Sequence, residues 1–456
     1  MTLVLCLCVL GASPRASADY VIQRVDLEQF DIPLRTAFQT AKATSTSCYG
    51  ILVTVHAVDE ASGRRVRGIG TILPRSLVTN EIRRDAWAAS GKLAESIRGA
   101  RLTGVDRAAD LAAVDTLVRS LSDAANAFTL TTKYPPAKDR QLRATVCGFD
   151  IALLDLLGQL HDRPIWALLN PDSKRTHIKR SAPTYGTGTG SASLSRRVPA
   201  AHAAYDAIRM KIGTDLEEDP ERVGAVAEAL VAAGRMDTAI WVDVNQAWKS
   251  PEASADQLGR LADVLSQAGF TATFIVEQPT VEDDLEALRD VTHAVRGWGD
   301  RYPFRIQVMA DESIWLLADV QRLVELDAAD MVNIKLQKAG GLQEAMRMGR
   351  YLEAHAPDTG VYLGGLVMTD LGAWANVHAS FALPRLDYQT SGAPRRNFPD
   401  NVASYPLTYA FDRSIRRPTQ SGLSTAVDRE ALEPFIEKTR VVGQLSDRPT
   451  TPRRLP

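Results

Sequence analysis

Cysteine is scarce in this chain. Its 456 residues include only Cys6, Cys8, Cys48 and Cys147, with no Cys-x-x-Cys pair among them. That spacing speaks against a disulfide framework and against a thiolate zinc site, and it points to a reducing compartment such as the cytoplasm. An excess of one charge is also missing. The 53 Lys and Arg residues face 55 Asp and Glu, leaving a net charge of −2. Nucleic acid and anionic membrane surfaces select a basic excess, so neither is expected as a partner. Away from the N-terminus no apolar run is long enough to span a bilayer. No glycine-rich phosphate loop follows a first strand, which weakens a doubly wound nucleotide fold.

The N-terminus leaves two readings open. Residues 3–12, LVLCLCVLGA, resemble the apolar centre of a signal peptide, and Ala16-Ser17-Ala18 resembles a cleavage site before Asp19. No Lys or Arg precedes that run, so a mis-assigned start or a disordered tail competes with export and cleavage after Ala18. Residues 1–18 are therefore set apart from the fold.

What is present has a clear order. VIQRVDLEQFDIPL, YGILVTVHAVD and GIGTILP read as strands, and residues 80–132 carry helical apolar stripes. A meander followed by helices predicts an α+β domain over residues 19–147. FDIALLDLLGQLHDRPIWALL then reads as an amphipathic helix stopped by Pro164. Beyond it, short apolar runs (SAPTYG, AIRMKIG, AIWVDVN, TFIVEQ, IQVMADES, MVNIKL, VYLGGLVM and a weaker LDYQT) alternate with helical stretches. About eight such units predict a parallel sheet closed into a β/α barrel over residues 148–390. Residues 391–456 are polar and proline-rich. They are expected to wrap back as irregular structure, partly against the first domain.

Barrel enzymes carry their chemistry at the C-terminal ends of strands. Five successive runs end in charged or polar residues: Lys211, then Asp243 with Asn245, Glu277, Asp311 with Glu312, and Lys335. The three acids are spaced by 34 residues each (277 − 243 and 311 − 277), one β/α unit apart. Neighbouring strand ends would bring them to one point, where three carboxylates need a compensating cation. Oxygen-only ligation favours Mg²⁺, with Mn²⁺ as a substitute. Lys211 and Lys335 flank the acids, and a buried lysine near other cations is pushed toward neutrality, as suits a general base. Arg209 shares a strand face with Lys211 and stays protonated, so it is expected to support Lys211 or to bind a carboxylate. A lysine base with Mg²⁺ suits proton removal next to a carboxylate.

Taken together, FDIALLDLLGQ with PIWALL, RMKIG, DVNQAW, IVEQP, MADES and NIKLQKAGGL resemble the enolase superfamily, in its muconate lactonizing enzyme subgroup. That subgroup includes dipeptide epimerases and o-succinylbenzoate synthases. The resemblance runs from about Val21 to Gln389. It implies a (β/α)7β TIM-like barrel whose N-terminal α+β domain caps the mouth and sets substrate choice. It also implies Lys211 and Lys335 as the acid/base pair, Asp243, Glu277 and Asp311 as Mg²⁺ ligands, and a homo-oligomer. A mandelate racemase-type site is disfavoured, because that subgroup has His where Lys335 stands.

Two positions depart from the pattern. Arg209 replaces the first lysine of a Lys-x-Lys pair. The Asp-x-Asp with which dipeptide epimerases hold a substrate amino group is missing from LPRLDYQTSG, where only Asp387 is near. Asn245 and Glu312 are expected to orient the ligands or Lys335. Thr184 and Tyr185 are candidate substrate contacts. Lys338 is either a substrate contact or an ion-paired lysine, and His378 is read as a packed helix histidine.

The expected activity is a racemase or epimerase acting on a small-molecule carboxylate, an amino-acid derivative or dipeptide-like compound. A syn-dehydratase, a cycloisomerase and a non-catalytic barrel remain alternatives.

Overall fold

The computed structural model describes residues 19–39, 44–132, 135–202, 205–389, 398 and 401–445. The N-terminal segment 1–18 lies outside them. Among the described residues no helix is long and apolar enough to cross a membrane.

Two sheets organise the chain. The first is antiparallel: β1 (Tyr20–Gln39), β2 (Thr44–Asp59) and β3 (Arg65–Ile72) follow in sequence. The short β4 (Arg101–Leu102) also pairs with β1. Helices α1 (Arg83–Ile97) and α2 (Arg107–Asn126) follow β3 and flank β4. Asp106 caps α2, its carboxylate accepting from the Ala109 amide at 3.0 Å.

Residues Ile436–Gly443, expected to be irregular, instead form strand β15, paired antiparallel to β1 from Arg24–Gly443 to Phe30–Ile436. The edge of β1 would otherwise present a row of unpaired amides and carbonyls. A polar, half-exposed sequence meets that need without any strong apolar signal of its own.

Helix α3 (Arg143–His161) departs from the amphipathic reading. Every residue from Arg143 to Gly158 is buried, because the helix is covered by β3 on one side and by barrel elements on another. Glycines make the contact with β3 possible. A Cβ on Gly70 would lie 2.1 Å from the Gly148 carbonyl oxygen, and one on Gly68 would lie 2.2 Å from that of Ala152. The buried Asp155 of α3 accepts from the Ile69 and Leu423 amides, each at 2.7 Å, and so ties three chain segments together.

After α4 (Ile165–Leu169), β5 (His177–Lys179) forms a two-stranded ribbon with β14 (Ser414–Arg416). The second sheet has eight strands, each parallel to the next. They are β6 (Thr184–Tyr185), β7 (Ala207–Lys211), β8 (Ala239–Asp243), β9 (Phe274–Glu277), β10 (Ile306–Ala310), β11 (Met331–Ile334), β12 (Gly360–Leu363) and β13 (Tyr388–Gln389). The sheet closes on itself through Ser181, whose amide donates to the Gln389 carbonyl at 3.0 Å and whose hydroxyl accepts from the Gln389 amide at 3.1 Å.

Between the strands run α5 (Ser191–His202), α6 (Glu218–Ala232), α7 (Pro251–Gln267), α8 (Leu285–Gly297), α9 (Leu317–Leu326), the pair α10 (Leu336–Ala339) and α11 (Leu342–His355), and α12 (Asp370–Ala382). Seven strand–helix units and a closing strand make the (β/α)7β barrel, with an antiparallel sheet domain beside it. The interior has its own apolar floor of Ala182, Ala207, Ala239, Trp241, Ile275, Met309, Met331 and Tyr362. Trp241 and Tyr362 meet edge to face there, with ring centroids 4.6 Å apart.

Candidate active site

Strands β7 to β11 are consecutive neighbours in the barrel. The parallel register aligns Lys211 with Asp243, and Asp243 with Glu277. Side chains alternate faces along a strand, so Arg209 and Lys211 face inward together, as do Trp241 and Asp243. The carboxylate oxygens of Asp243, Glu277 and Asp311 lie within 4.8 Å of one another, and all three residues are fully buried.

Each acid is held from several sides. Lys211 Nζ donates to Asp243 Oδ2 at 2.5 Å and to Asn245 Oδ1 at 2.8 Å. Asn245 in turn donates to Glu312 Oε1 at 3.0 Å, linking the β8 and β10 ends. Lys335 Nζ donates to Asp311 Oδ2 at 2.5 Å. Lys338 Nζ donates to Asp311 Oδ1 at 2.8 Å and also to the Asp311 carbonyl. The ion-paired reading of Lys338 is therefore the one its contacts support.

Burial pushes the Glu277 carboxyl up to about 8, against the pull of Arg209. For Asp311, burial is outweighed by Lys335 and Lys338, which hold its carboxyl well below the usual range. For Asp243, Lys211 and Arg209 likewise outweigh burial and lower the pKa. Lysines depressed toward neutrality were the expectation. Burial does oppose the charge on Lys335, but Asp311, Glu277 and Glu312 outweigh it and raise its pKa. Burial dominates at Lys338, which is lowered. At Lys335 the attraction of three acids exceeds the desolvation penalty, whereas at Lys338 it does not.

Three contributors were not singled out from the sequence. Trp241 Nε1 donates to Glu277 Oε2 at 2.8 Å, and Asn333 Nδ2 donates to Glu277 Oε1 at 2.9 Å. Gln278 Oε1 accepts from the Asp311 amide at 2.8 Å and the Ser313 amide at 3.3 Å. Gln278 and Asn245 both sit at positive φ, 43° and 49°, directly behind the acid-bearing strand ends. Such backbone strain persists where surrounding bonds over-determine it. The signal available for Trp241 and Asn333 was their two-residue offset from Asp243 and Lys335, which puts each on the inward face.

Thr184 shares the register of Arg209 and so faces the interior. Tyr185 falls on the other face of the strand. It is in register with Met210, and both belong to the apolar layer outside the strands, with the Arg197 guanidinium 4.8 Å from the Tyr185 ring centre. Asp387 is also displaced from the site. Its carboxylate accepts from the Val361 amide at 2.7 Å, near the N-terminal ends of β12 and β13 and away from the acids.

His378 is buried in α12, its Nδ1 accepting from the Trp166 amide at 3.3 Å. Burial lowers its pKa from 6.5 to about 4. Between those values the unfolded chain binds the extra proton. The stabilisation is therefore complete above pH 6.5 and is lost as pH falls through 4, by about 3 kcal/mol. His378→Gln should remove this loss, so the difference in Tm between wild type and variant should shrink from pH 7 to pH 4. A difference that stays constant would show that His378 does not titrate there.

Three convergent, buried carboxylates form an all-oxygen donor set suited to a hard divalent cation. The enolase C-terminal domain-like family matches residues 193–431. An N-succinyl-L-Arg/Lys racemase of Bacillus cereus is 26% identical over 290 residues, covering 63% of this chain and 70% of that protein. A chloromuconate cycloisomerase of Cupriavidus pinatubonensis is 26% identical over 307 residues, covering 66% and 74%. Among solved structures, the dipeptide epimerase of Cytophaga hutchinsonii, complexed with Mg and D-Ala-L-Val, superposes with a TM-score of 0.73 at 21% identity. That superposition covers 93% of this chain and 100% of the epimerase. The barrel, the residues at its strand ends and a match extending over residues 193–431 lead to one conclusion: the chain belongs to the enolase C-terminal domain-like family.

Proposed function

We propose that this enzyme is a Mg²⁺-dependent racemase or epimerase that removes the proton α to a substrate carboxylate and returns one to the opposite face. The observation that carries this reading is the placement of two lysines. Lys211 ends β7 and Lys335 follows β11, four strands apart in an eight-stranded barrel, with the three acid-bearing strands between them. Their amines thus stand on opposite walls of one site. A planar intermediate between them would present one face to each, as a 1,1-proton transfer requires.

Asp243, Glu277 and Asp311 would hold the metal, which when bound supplies electrostatic stabilisation for charge developing on the substrate carboxylate. Lys211 is positioned by Asp243 and Asn245, and Lys335 by Asp311. One amine takes the proton while the other, as an ammonium, gives one.

The substrate class follows from what the last strand lacks. Tyr388 and Gln389 carry no carboxylate, and Asp387 is engaged near the opposite end of the barrel. Among the described residues of that strand a free α-ammonium would find no anionic partner, so an N-acylated amino acid fits better than a dipeptide with a free amine.

The test is incubation in D₂O with Mg²⁺ and a panel of N-acyl amino acids and dipeptides, followed by mass spectrometry. The expected result is deuterium at the α-carbon with the substrate formula otherwise unchanged. Loss of water, or a ring isomer, would move the enzyme to the dehydratase or cycloisomerase side. Exchange confined to free-amine dipeptides would overturn the N-acyl assignment.

A further inference from the structure

Arg209 reaches further into the acid cluster than a neighbour of Lys211 needs to. Its Nε donates to Glu277 Oε2 at 3.0 Å, and its Nη2 donates to Glu277 Oε1 and Oε2 at 2.9 and 2.7 Å. The same Nη2 also donates to Asp243 Oδ2. The guanidinium therefore bridges two of the three acids that converge on one point.

The position is built rather than incidental. Arg209 is buried, and its guanidinium carbon lies 5.0 Å from the Trp241 ring centre and 5.8 Å from that of Tyr362. The aromatic floor thus receives one side of the cation while the acids receive the other. Trp241 in turn donates to Glu277, so floor, cation and acid form one network.

Lone pairs decide what this means for a metal. A carboxylate offers about four acceptor sites. Glu277 already receives Arg209 Nε and Nη2, Trp241 Nε1 and Asn333 Nδ2. Trp241 and Asn333 are set by their strands, so the donor able to yield is the long side chain of Arg209. Charge points the same way. Arg209, Lys211, Lys335 and Lys338 already set four positive charges against Asp243, Glu277, Asp311 and the adjoining Glu312. A dication entering beside a fixed guanidinium in a buried site would be repelled.

We propose that Arg209 is a resident counter-cation of the acid triad, which a divalent metal must displace from Glu277 in order to bind. This rests on the metal reading given above. It makes Arg209 a device that keeps three buried carboxylates together in the metal-free protein, at the expense of metal affinity.

The experiment uses the whole chain, stripped with EDTA, with free Mn²⁺ measured by electron paramagnetic resonance and Tm measured with and without Mn²⁺. Arg209→Met should tighten Mn²⁺ binding by about tenfold or more. It should also lower the Tm of the metal-free protein, with most of the loss recovered on adding Mn²⁺. Should the Met variant fail to fold, Arg209→Lys takes its place, since a single ammonium cannot bridge Asp243 and Glu277 as the guanidinium does; it too should bind Mn²⁺ more tightly than wild type. Unchanged or weaker Mn²⁺ binding in the folded variants would overturn the proposal and leave Arg209 as a support for the ligands. If neither wild type nor the variants bind Mn²⁺, the metal reading itself falls, and this inference with it.

Discussion

Lys335→Ala is expected to abolish α-proton exchange from one stereoisomer of the substrate, by about 10³-fold or more, while Lys211→Ala abolishes it from the other. In the proposed two-base reaction each amine would reach one face of the α-carbon, because β7 and β11 stand across the barrel from each other. Removing an amine therefore removes the base for one stereoisomer and the acid for the other. The surviving lysine should still take the proton from its own side and give it back, or a deuteron in its place. The measurement is deuterium incorporation into each stereoisomer separately, by mass spectrometry or proton NMR. Opposite selectivity of the two variants is the signature of two bases. Equal loss from both stereoisomers in Lys335→Ala, with Lys211→Ala unaffected, would assign a single-base reaction and favour elimination. Neither variant losing exchange would remove both lysines from the chemistry.

Chelation of divalent metal is expected to stop exchange by a comparable factor, about 10³-fold, with Mg²⁺ restoring it in wild type but not in Glu277→Gln. Part of this expectation comes from the chain alone. Asp311, Glu277 and Glu312 raise the pKa of Lys335, which favours its protonated form over the free base; a cation bound by these acids would weaken that pull. Glu277 is the acid shared by Arg209, Trp241 and Asn333. Replacing it with an amide keeps the size but removes the charge and reverses half of the hydrogen-bonding polarity. Exchange that survives exhaustive chelation would place charge stabilisation on Arg209 and the lysines instead. Recovery of Glu277→Gln by Mg²⁺ would take Glu277 out of the ligand set.

Much of this site is written locally. Each of AIRMK, AIWVD and FIVE is a short apolar run closed by a charged residue, and all fourteen of these residues are buried as strands. The 34-residue spacing of the acids is one structural unit, so period and position together put them side by side. Ser250 before Pro251 and Asp284 before Leu285 mark helix starts in the same legible way, each side chain capping its helix.

Other features were not legible, for reasons that differ. Trp241 looks like any strand aromatic until the barrel closes and Glu277 arrives above it. Tyr185 and Thr184 are neighbours in sequence, yet the pleat sends them to opposite faces, and only the register with Met210 and Arg209 says which is which. Asp387 is near the last strand in sequence, yet it is bound at the opposite end of the barrel from the acids. Strand β15 has no strong periodicity, and its partner β1 lies some four hundred residues earlier in the chain.

The amino-acid order by itself determined the alternation of strand and helix, the three acids in successive units and the lysines on either side. These are properties of short windows and fixed spacings, where side-chain period and polarity act directly. The tertiary structure alone decided where Arg209 lays its guanidinium, which donors saturate Glu277, and how the C-terminal strand covers β1. Those outcomes depend on which distant groups meet once the barrel closes, and a buried charge takes the partners that closure brings within reach.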